Sequence, residues 1–81
     1  MSINTATARE WVKSDDYPLL PDVKVKLTGT DGNAFAIMGA VMKAMRHAGV
    51  PKEWINEYQT EATSGDYDNL LRTSMKWVNV R

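Results

Sequence analysis

One segment, residues 34–48, constrains the fold more than any other part of the sequence. Its apolar residues recur at helical spacing and form a broad face: Ala34, Ile37, Met38, Val41, Met42, Met45 and Ala48. Beside that face runs a ridge of small residues, Ala36, Ala40 and Ala44, instead of the charges that usually cover a solvated helix. We therefore expect a helix that is buried on more than one side and lies at the centre of the fold.

Residues 23–28 and 76–81 flank the helical region and predict two β-strands. Residues 23–28 alternate apolar and polar at every position, which is typical of a strand with one face on the core. The two valines and Leu27 of this segment would face the core, and Val78 and Val80 of the second segment would lie beside them. The pattern leaves open whether the two strands are parallel or antiparallel.

Two further helices are expected between the central helix and the second strand. Gly49 suits a left-handed helix end, Pro51 suits the first turn of a helix over residues 51–63, and Asp66 can cap a third, short helix. The chain is thus predicted to be an α+β domain of order β-α-α-α-β, with three helices packed on a two-stranded ribbon. The expected core is Val25, Leu27, Phe35, Met38, Val41, Met42, Met45, Trp54, Ile55, Tyr58, Leu70, Leu71 and Val78.

Residues 1–22 differ in character from the rest and predict an N-terminal arm ahead of a single domain over residues 23–81. The prolines of this stretch push the residues before them into extended geometry. Two interpretations stay open. The arm is either a frayed terminus or a segment whose Trp11, Leu19 and Leu20 pack on the core or on a partner chain.

Composition and charge exclude several kinds of site. The 81 residues include no cysteine and one histidine, which excludes disulfides, thiolate zinc sites and a multi-histidine metal site within one chain. Ten basic residues balance ten acidic ones, whereas a dedicated nucleic-acid binder usually has a basic excess. The longest apolar run, residues 34–42, is about half the roughly 20 residues that span a bilayer. We expect a cytoplasmic protein with no membrane segment, no metal and no cofactor.

The first candidate site is the side of the predicted ribbon that points away from the core, formed by Lys24, Lys26, Trp77 and Arg81. We name this set the ribbon face. Basic residues interleaved with an aromatic ring can bind single-stranded nucleic acid by charge and stacking. The same face could instead be plain solvent surface with lysines guarding the strand edge, or it could be covered by the arm or by a second subunit.

The second candidate is the turn before the central helix, where Gly29, Thr30, Gly32 and Asn33 could present backbone N–H groups to an anion. Its spacing matches neither the dinucleotide fingerprint nor the P-loop, and Asp31 would repel a phosphate. An ordinary turn that caps the helix is therefore the stronger interpretation.

Two other features favour structural roles. The second helix carries three glutamates at intervals of four residues: Glu53, Glu57 and Glu61. Like charges at this spacing repel, so we expect cationic partners, such as Lys43, Arg46 or Lys52. His47 lies near the end of the central helix, where the helix dipole favours a cation, and no nucleophile is spaced to pair with it.

Three stretches of the sequence resemble a family of small, uncharacterised proteins found in bacteria and carried by phages and other mobile elements. They are KLTGTDGNAF (residues 26–35), RHAGV (46–50) and EATSGDY (61–67). The likeness covers roughly residues 23 to 80, and no activity, cofactor or catalytic residue comes with it. The resemblance implies a cytoplasmic accessory protein.

These features together predict a non-enzymatic interaction or regulatory module, with a homodimer as the expected assembly. The absence of a paired nucleophile and base argues against an enzyme. Small size, the apolar arm and the alanine ridge all favour surfaces that meet partners. Two alternatives stay open: a nucleic-acid-binding accessory protein that uses the ribbon face, and a binder of small anions at the turn over residues 29–33.

Overall fold

The computed structural model describes residues 11–27 and 32–81. Within them the chain forms strand β1, three helices and strand β2, which confirms the predicted α+β class and the order β-α-α-α-β. The elements are β1 (Leu20–Val25), α1 (Ala34–Ala48), α2 (Lys52–Ala62), α3 (Tyr67–Trp77) and β2 (Val78–Val80). The helix α1 packs against β1, α2 and α3, so it lies at the centre of the fold as its apolar faces predict.

The two strands pair in parallel, which the sequence pattern left open. Leu20 lies opposite Val78 and Val25 opposite Val80, with an irregularity in β1 between Leu20 and Lys24. Parallel neighbours need a long crossover connection, and the three helices supply it. The pairing continues past β2, because the Arg81 N–H donates to the Val25 carbonyl at 2.8 Å.

The first strand begins three residues earlier than predicted, so the boundary that we drew after residue 22 lies inside β1. Leu20 and Val23 are both buried although three positions separate them, which breaks the strict alternation. An extra residue in one strand shifts the side on which the next residues point. Strict alternation therefore could not include Leu20. Thr28, the predicted end of the strand, lies outside the described residues.

Local capping explains why α1 has the bounds that its sequence predicts. The Asn33 side chain accepts a hydrogen bond from the Phe35 N–H at 2.8 Å. Gly49 has a left-handed φ of 87°. Its N–H donates to the Arg46 carbonyl and the next N–H, of Val50, donates to the Met45 carbonyl. This is the Schellman arrangement, and it turns the chain sharply into α2.

The core lies between the helices and one side of the ribbon. Its predicted members Val25, Val41, Met45, Ile55, Tyr58, Leu70 and Val78 are buried. Several predicted members are only half-buried and pack against it: Leu27, Met38, Met42, Trp54 and Leu71. The expected core set did not name these buried residues: Leu20, Val23, Ile37, Val50, Ala62 and Trp77. Of these, Val23 and Ile37 lie on the apolar sides that the strand and helix patterns predicted.

Phe35 is the one predicted core residue that the structure contradicts, because it is 78% exposed. The buried line of α1 runs through Ile37, Val41 and Met45, which are four residues apart. Phe35 precedes Ile37 by two positions, which is about 200° around a helix. It therefore points away from that line.

The described part of the predicted arm, residues 11–19, folds back on the domain. We call this segment the strap. Trp11 and Leu19 pack against the core. The Leu19 N–H donates to the Lys76 carbonyl, and the Ser14 N–H donates to the Leu19 carbonyl, both at 2.8 Å. The strap thus bridges β1 and the end of α3, while residues 1–10 lie outside the described residues.

Candidate functional site

The ribbon face does not hold together as predicted, because Trp77 is only 3% exposed. The helix α3 continues through Trp77, whereas the alternating pattern of residues 76–81 predicted a strand there. The indole ring meets the Tyr58 ring edge to face, with centroids 6.5 Å apart. Lys24, Lys26 and Arg81 are exposed. The three cations are therefore accessible to a nucleic acid, but the Trp77 ring is buried and cannot stack on a base.

The turn before α1 is described only from Gly32 onward, and Gly29 and Thr30 of the predicted anion site lie outside the described residues. Asn33 caps α1, in line with the interpretation as an ordinary turn. The Gly32 carbonyl accepts a hydrogen bond from the Tyr67 hydroxyl at 2.7 Å. That bond ties the start of α1 to the start of α3.

Two of the three glutamates of α2, Glu57 and Glu61, pair with cations, but not with the ones that the sequence suggested. Glu57 pairs with Lys13 of the strap at 3.0 Å, and Glu61 pairs with Lys76 of α3 at 2.6 Å. We had considered cations of α1 and of the start of α2. The observed partners come instead from the strap and from α3. His47 lies exposed in the last turn of α1, next to Arg46.

An apolar groove opens where the first turns of α1 and α3 lie side by side. It has a volume of about 290 Å³. Its apolar lining consists of Ala34, Phe35, Met38, Ala62, Tyr67 and Leu70, and Asp66 lies among its polar lining residues. We call it the α1–α3 groove. Phe35 and Tyr67 are exposed, at 78% and 45%. Exposed apolar surface of this kind commonly marks an interaction site.

Sequence reasoning missed this groove because it assigned Phe35 to the core. The signal that could have found it is the helical position of Phe35, which falls on the side of α1 shared by Gly39 and Lys43. A large aromatic residue is unexpected on a solvent-facing side of a helix, unless another segment or another molecule covers it. The groove also depends on the contact between α1 and α3, which cannot be predicted from the sequence of either helix alone.

A second arrangement surrounds the ammonium group of Lys13. The Nζ atom lies 5.0 Å from the centre of the Trp54 ring and 4.9 Å from the centre of the Trp77 ring. It also donates to the Glu57 carboxylate at 3.0 Å. Trp54 and Glu57 are three residues apart and share one side of α2. We call these three residues, Trp54, Glu57 and Trp77, the Lys13 seat.

Glu61 supports the Lys13 seat from behind. Its carboxylate accepts hydrogen bonds from the Lys76 Nζ at 2.6 Å and from the Trp77 indole N–H at 3.0 Å. These two bonds, that of Lys76 first, lower the pKa of Glu61. The bond to Glu61 in turn raises the pKa of Lys76. Glu61 therefore stays ionised and fixes the orientation of the Trp77 ring.

A buried polar pair lies beneath the seat. The hydroxyl groups of Tyr58 and Ser74 are 2.7 Å apart, and Ser74 donates to the Leu70 carbonyl at 2.9 Å. Because the Ser74 proton is used in that bond, Tyr58 is the donor to Ser74. Burial raises the pKa of Tyr58. Both hydroxyl groups are thus engaged in structural bonds.

Two other kinds of feature are absent from residues 11–27 and 32–81. No helix in those ranges has the length and apolar character to cross a membrane. No group of three or more histidine or acidic side chains there could hold a metal ion.

Comparison with known proteins found no matching family model, no curated relative and no similar solved structure.

Proposed function

We propose that this chain is a non-enzymatic interaction module that forms a homodimer through the α1–α3 groove. One observation carries the proposal. Phe35 projects from α1 at 78% exposure, directly beside an apolar groove that it only partly lines. Aromatic side chains are enriched in protein interfaces, where they act as anchors in pockets on the partner.

The arrangement of anchor and groove favours a second copy of the chain as the partner. In a two-fold dimer the same patch of each subunit meets itself, so that each anchor enters the pocket of the other copy. Such an interface needs a projecting side chain and a recess side by side on one surface. Phe35 and the recess near Met38, Tyr67 and Leu70 meet that requirement.

The size of the expected effect follows from the buried ring. Moving one phenylalanine from water into a pocket is worth about 1.5–3 kcal/mol, and the symmetric dimer buries two. Association also costs several kcal/mol in lost translational and rotational freedom. The two rings supply at most about 6 kcal/mol, so a weak dimer with a dissociation constant on the order of 0.1 mM or weaker is the consistent expectation.

Two further points support a binding role over catalysis. The described part of the chain has its histidine exposed at the end of α1, while Ser74 is buried and bonded to Tyr58 and Leu70. The resemblance of residues 23 to 80 to proteins of bacteria and phages also implies an accessory role in the cytoplasm, and it brings no activity with it.

Sedimentation across micromolar to near-millimolar concentrations tests the proposal. The wild-type chain should shift from monomer toward dimer as concentration rises. Phe35→Ser should weaken the dimer by at least about tenfold, because each interface loses two rings. Met75→Ser is the matched control, since Met75 is also an exposed apolar residue on a helix, at 57%, and does not line the groove.

Two results would contradict the proposal. One is a wild-type chain that stays monomeric over the whole range. The other is an equal loss of dimer in Phe35→Ser and Met75→Ser, because the surface would then associate without using the groove.

A further inference from the structure

The Lys13 seat has the make-up of a recognition site for a cation. Two tryptophan rings attract an ammonium group through the negative charge of their faces, and tryptophan is the strongest side chain for this contact. Lys13 lies about 5 Å from both ring centres. Glu57 adds a charge-assisted hydrogen bond at 3.0 Å. The group that fills this site is part of the chain itself.

The parts of the seat are held in place by contacts other than those with Lys13. Trp77 is fixed by its bond to Glu61 and its edge-to-face contact with Tyr58. Trp54 and Glu57 are side chains of one regular helix, α2. Withdrawal of Lys13 should therefore leave a formed site, which is the condition for binding a ligand without a large cost of reorganisation.

The seat is also within reach of solvent while Lys13 occupies it. The Lys13 side chain keeps 34% of its accessible surface, and that of Glu57 keeps 54%. The strap that carries Lys13 turns back through residues 15–18, which are bends outside any helix or strand. An external group could thus approach Glu57 first and then replace the lysine between the rings.

We propose that the Lys13 seat is a binding site for primary alkylammonium groups, and that Lys13 is a tethered competitor which occupies it in the free protein. The ligand is the ammonium group of a lysine side chain in a peptide or of a free alkylamine. The bond to Glu57 requires an N–H donor, so the site should prefer a primary ammonium over a quaternary one. Displacement of Lys13 would loosen the strap.

The tether sets the affinity that an external ligand needs. A group held by a short segment acts at an effective concentration on the order of millimolar. An external amine must exceed that value to compete in the wild-type chain. Removal of the Lys13 side chain removes the competitor, and the seat should then bind free amines in the millimolar range.

The first experiment titrates the Lys13→Ala variant of the 81-residue chain with butylammonium chloride and follows tryptophan fluorescence and the thermal midpoint. We expect a saturable fluorescence change and a rise in the midpoint. An equal concentration of 1-butanol with sodium chloride controls for the alkyl chain and for ionic strength. Tetramethylammonium chloride tests the preference for an N–H donor, and should bind more weakly. A Lys13→Ala chain that is folded by circular dichroism and responds alike to butylammonium and to the control would overturn the proposal.

Two further arms distinguish the source of the ammonium group and the role of Glu57. A short peptide with one lysine and blocked ends tests whether a side chain can reach the seat. Binding of butylammonium without the peptide assigns the site to small amines, and binding of both assigns it to either source. Adding Glu57→Gln to Lys13→Ala should weaken the amine about tenfold, and an unchanged affinity would contradict the assignment of Glu57 as the acceptor.

A second measurement uses the wild-type chain, so it does not depend on how a variant folds. The amide of Leu19 donates to the Lys76 carbonyl and reports whether the strap is closed. Butylammonium that displaces Lys13 should speed hydrogen exchange at this amide severalfold, and butanol with sodium chloride should not. The proposal fails if exchange at Leu19 is the same in both solutions at concentrations well above millimolar.

Discussion

The α1–α3 groove and the Lys13 seat are two aromatic surfaces of one small domain, and they differ in whether the chain itself covers their rings. In the seat, the Trp54 and Trp77 rings are covered by a lysine of the strap, and the carboxylates of Glu57 and Glu61 are both paired. In the groove, Phe35 and Tyr67 stay exposed. The strap of the same chain covers the first surface, whereas the second stays exposed and is the proposed dimer contact.

This difference separates two kinds of effect. Changes in the seat remove contacts that exist within one chain, so they should lower the free energy of unfolding. In the proposed homodimer, changes in the groove remove contacts between two copies, so they should leave that free energy almost unchanged. Measurements of stability and of association on the same variants therefore test the contrast directly.

The largest effect is expected at Trp77, the most buried part of the seat. Trp77→Ala removes a ring that packs on Tyr58 and leaves Glu61 without its indole donor. Buried tryptophan to alanine substitutions cost about 3–5 kcal/mol, which is comparable to the whole stability of a small domain. Urea denaturation followed by circular dichroism measures it. Trp77→Phe keeps a ring and lacks the N–H, so it should cost clearly less. A loss below about 1 kcal/mol in Trp77→Ala would contradict a core role.

A smaller loss is expected when the strap loses its anchor. Lys13→Ala removes two cation–π contacts, worth about 0.5–1 kcal/mol each at a partly exposed position, and one surface ion pair worth less. The free energy of unfolding should fall by about 1–2 kcal/mol. Lys43→Ala is the control, because Lys43 is an exposed lysine with no ion pair to any described residue. Equal losses in both variants would show that Lys13 does not anchor the strap.

The pH dependence of stability tests the support behind the seat. The pKa of Glu61 is lowered from 4.5 by the bonds from Lys76 and Trp77. A lowered folded-state pKa stabilises the protein above the unfolded value, and this contribution is lost as pH falls through the folded value. The pKa of Lys76 is raised from 10.5, so its contribution is present below that value and is lost as pH rises through the folded value.

Glu61→Gln should therefore flatten the acid side of the stability curve below about pH 4.5, relative to the wild-type chain. Glu61 uses a separate oxygen for each bond, and glutamine has a single acceptor oxygen, so Glu61→Gln keeps one of the two bonds and cannot titrate. Glu53→Gln, at an exposed glutamate of the same helix, is the control and should leave the acid side unchanged. Thermal midpoints measured from neutral to acid pH give the result. A curve for Glu61→Gln that matches the wild-type curve would remove Glu61 from this role.

The sequence predicts those parts of this fold that have local causes. The bounds of α1 follow from Asn33 and Gly49, which act within a few residues of themselves. The start of β1 was wrong, because the irregularity between Leu20 and Lys24 interrupts the alternation on which the prediction depends. Trp77 was placed on the ribbon face because alternation and the last turn of a helix give similar patterns over so few residues.

The candidate sites were less predictable because both depend on contacts between distant segments. The Lys13 seat joins residue 13 to α2 and to the end of α3. The residue spacing within one segment cannot predict a contact between distant segments. The glutamates of α2 did indicate that cationic side chains pack near that helix. Phe35 was assigned to the core on hydrophobicity alone. Its angular position on α1 relative to Ile37 and Val41 shows that it lies away from the buried side of the helix.

The smallest effect on stability is expected at the groove, and it completes the contrast with the seat. Phe35→Ala, measured by urea denaturation at a concentration where the chain is monomeric, should change the free energy of unfolding by no more than about 0.5 kcal/mol. The ring is 78% exposed, so little apolar surface returns to water, and alanine favours the helix slightly. A loss of 2 kcal/mol or more, as for a buried ring, would mean that Phe35 packs within its own chain. In that case Phe35 would make its contacts within one chain, as the residues of the seat do, and it could not serve as the anchor of the proposed homodimer.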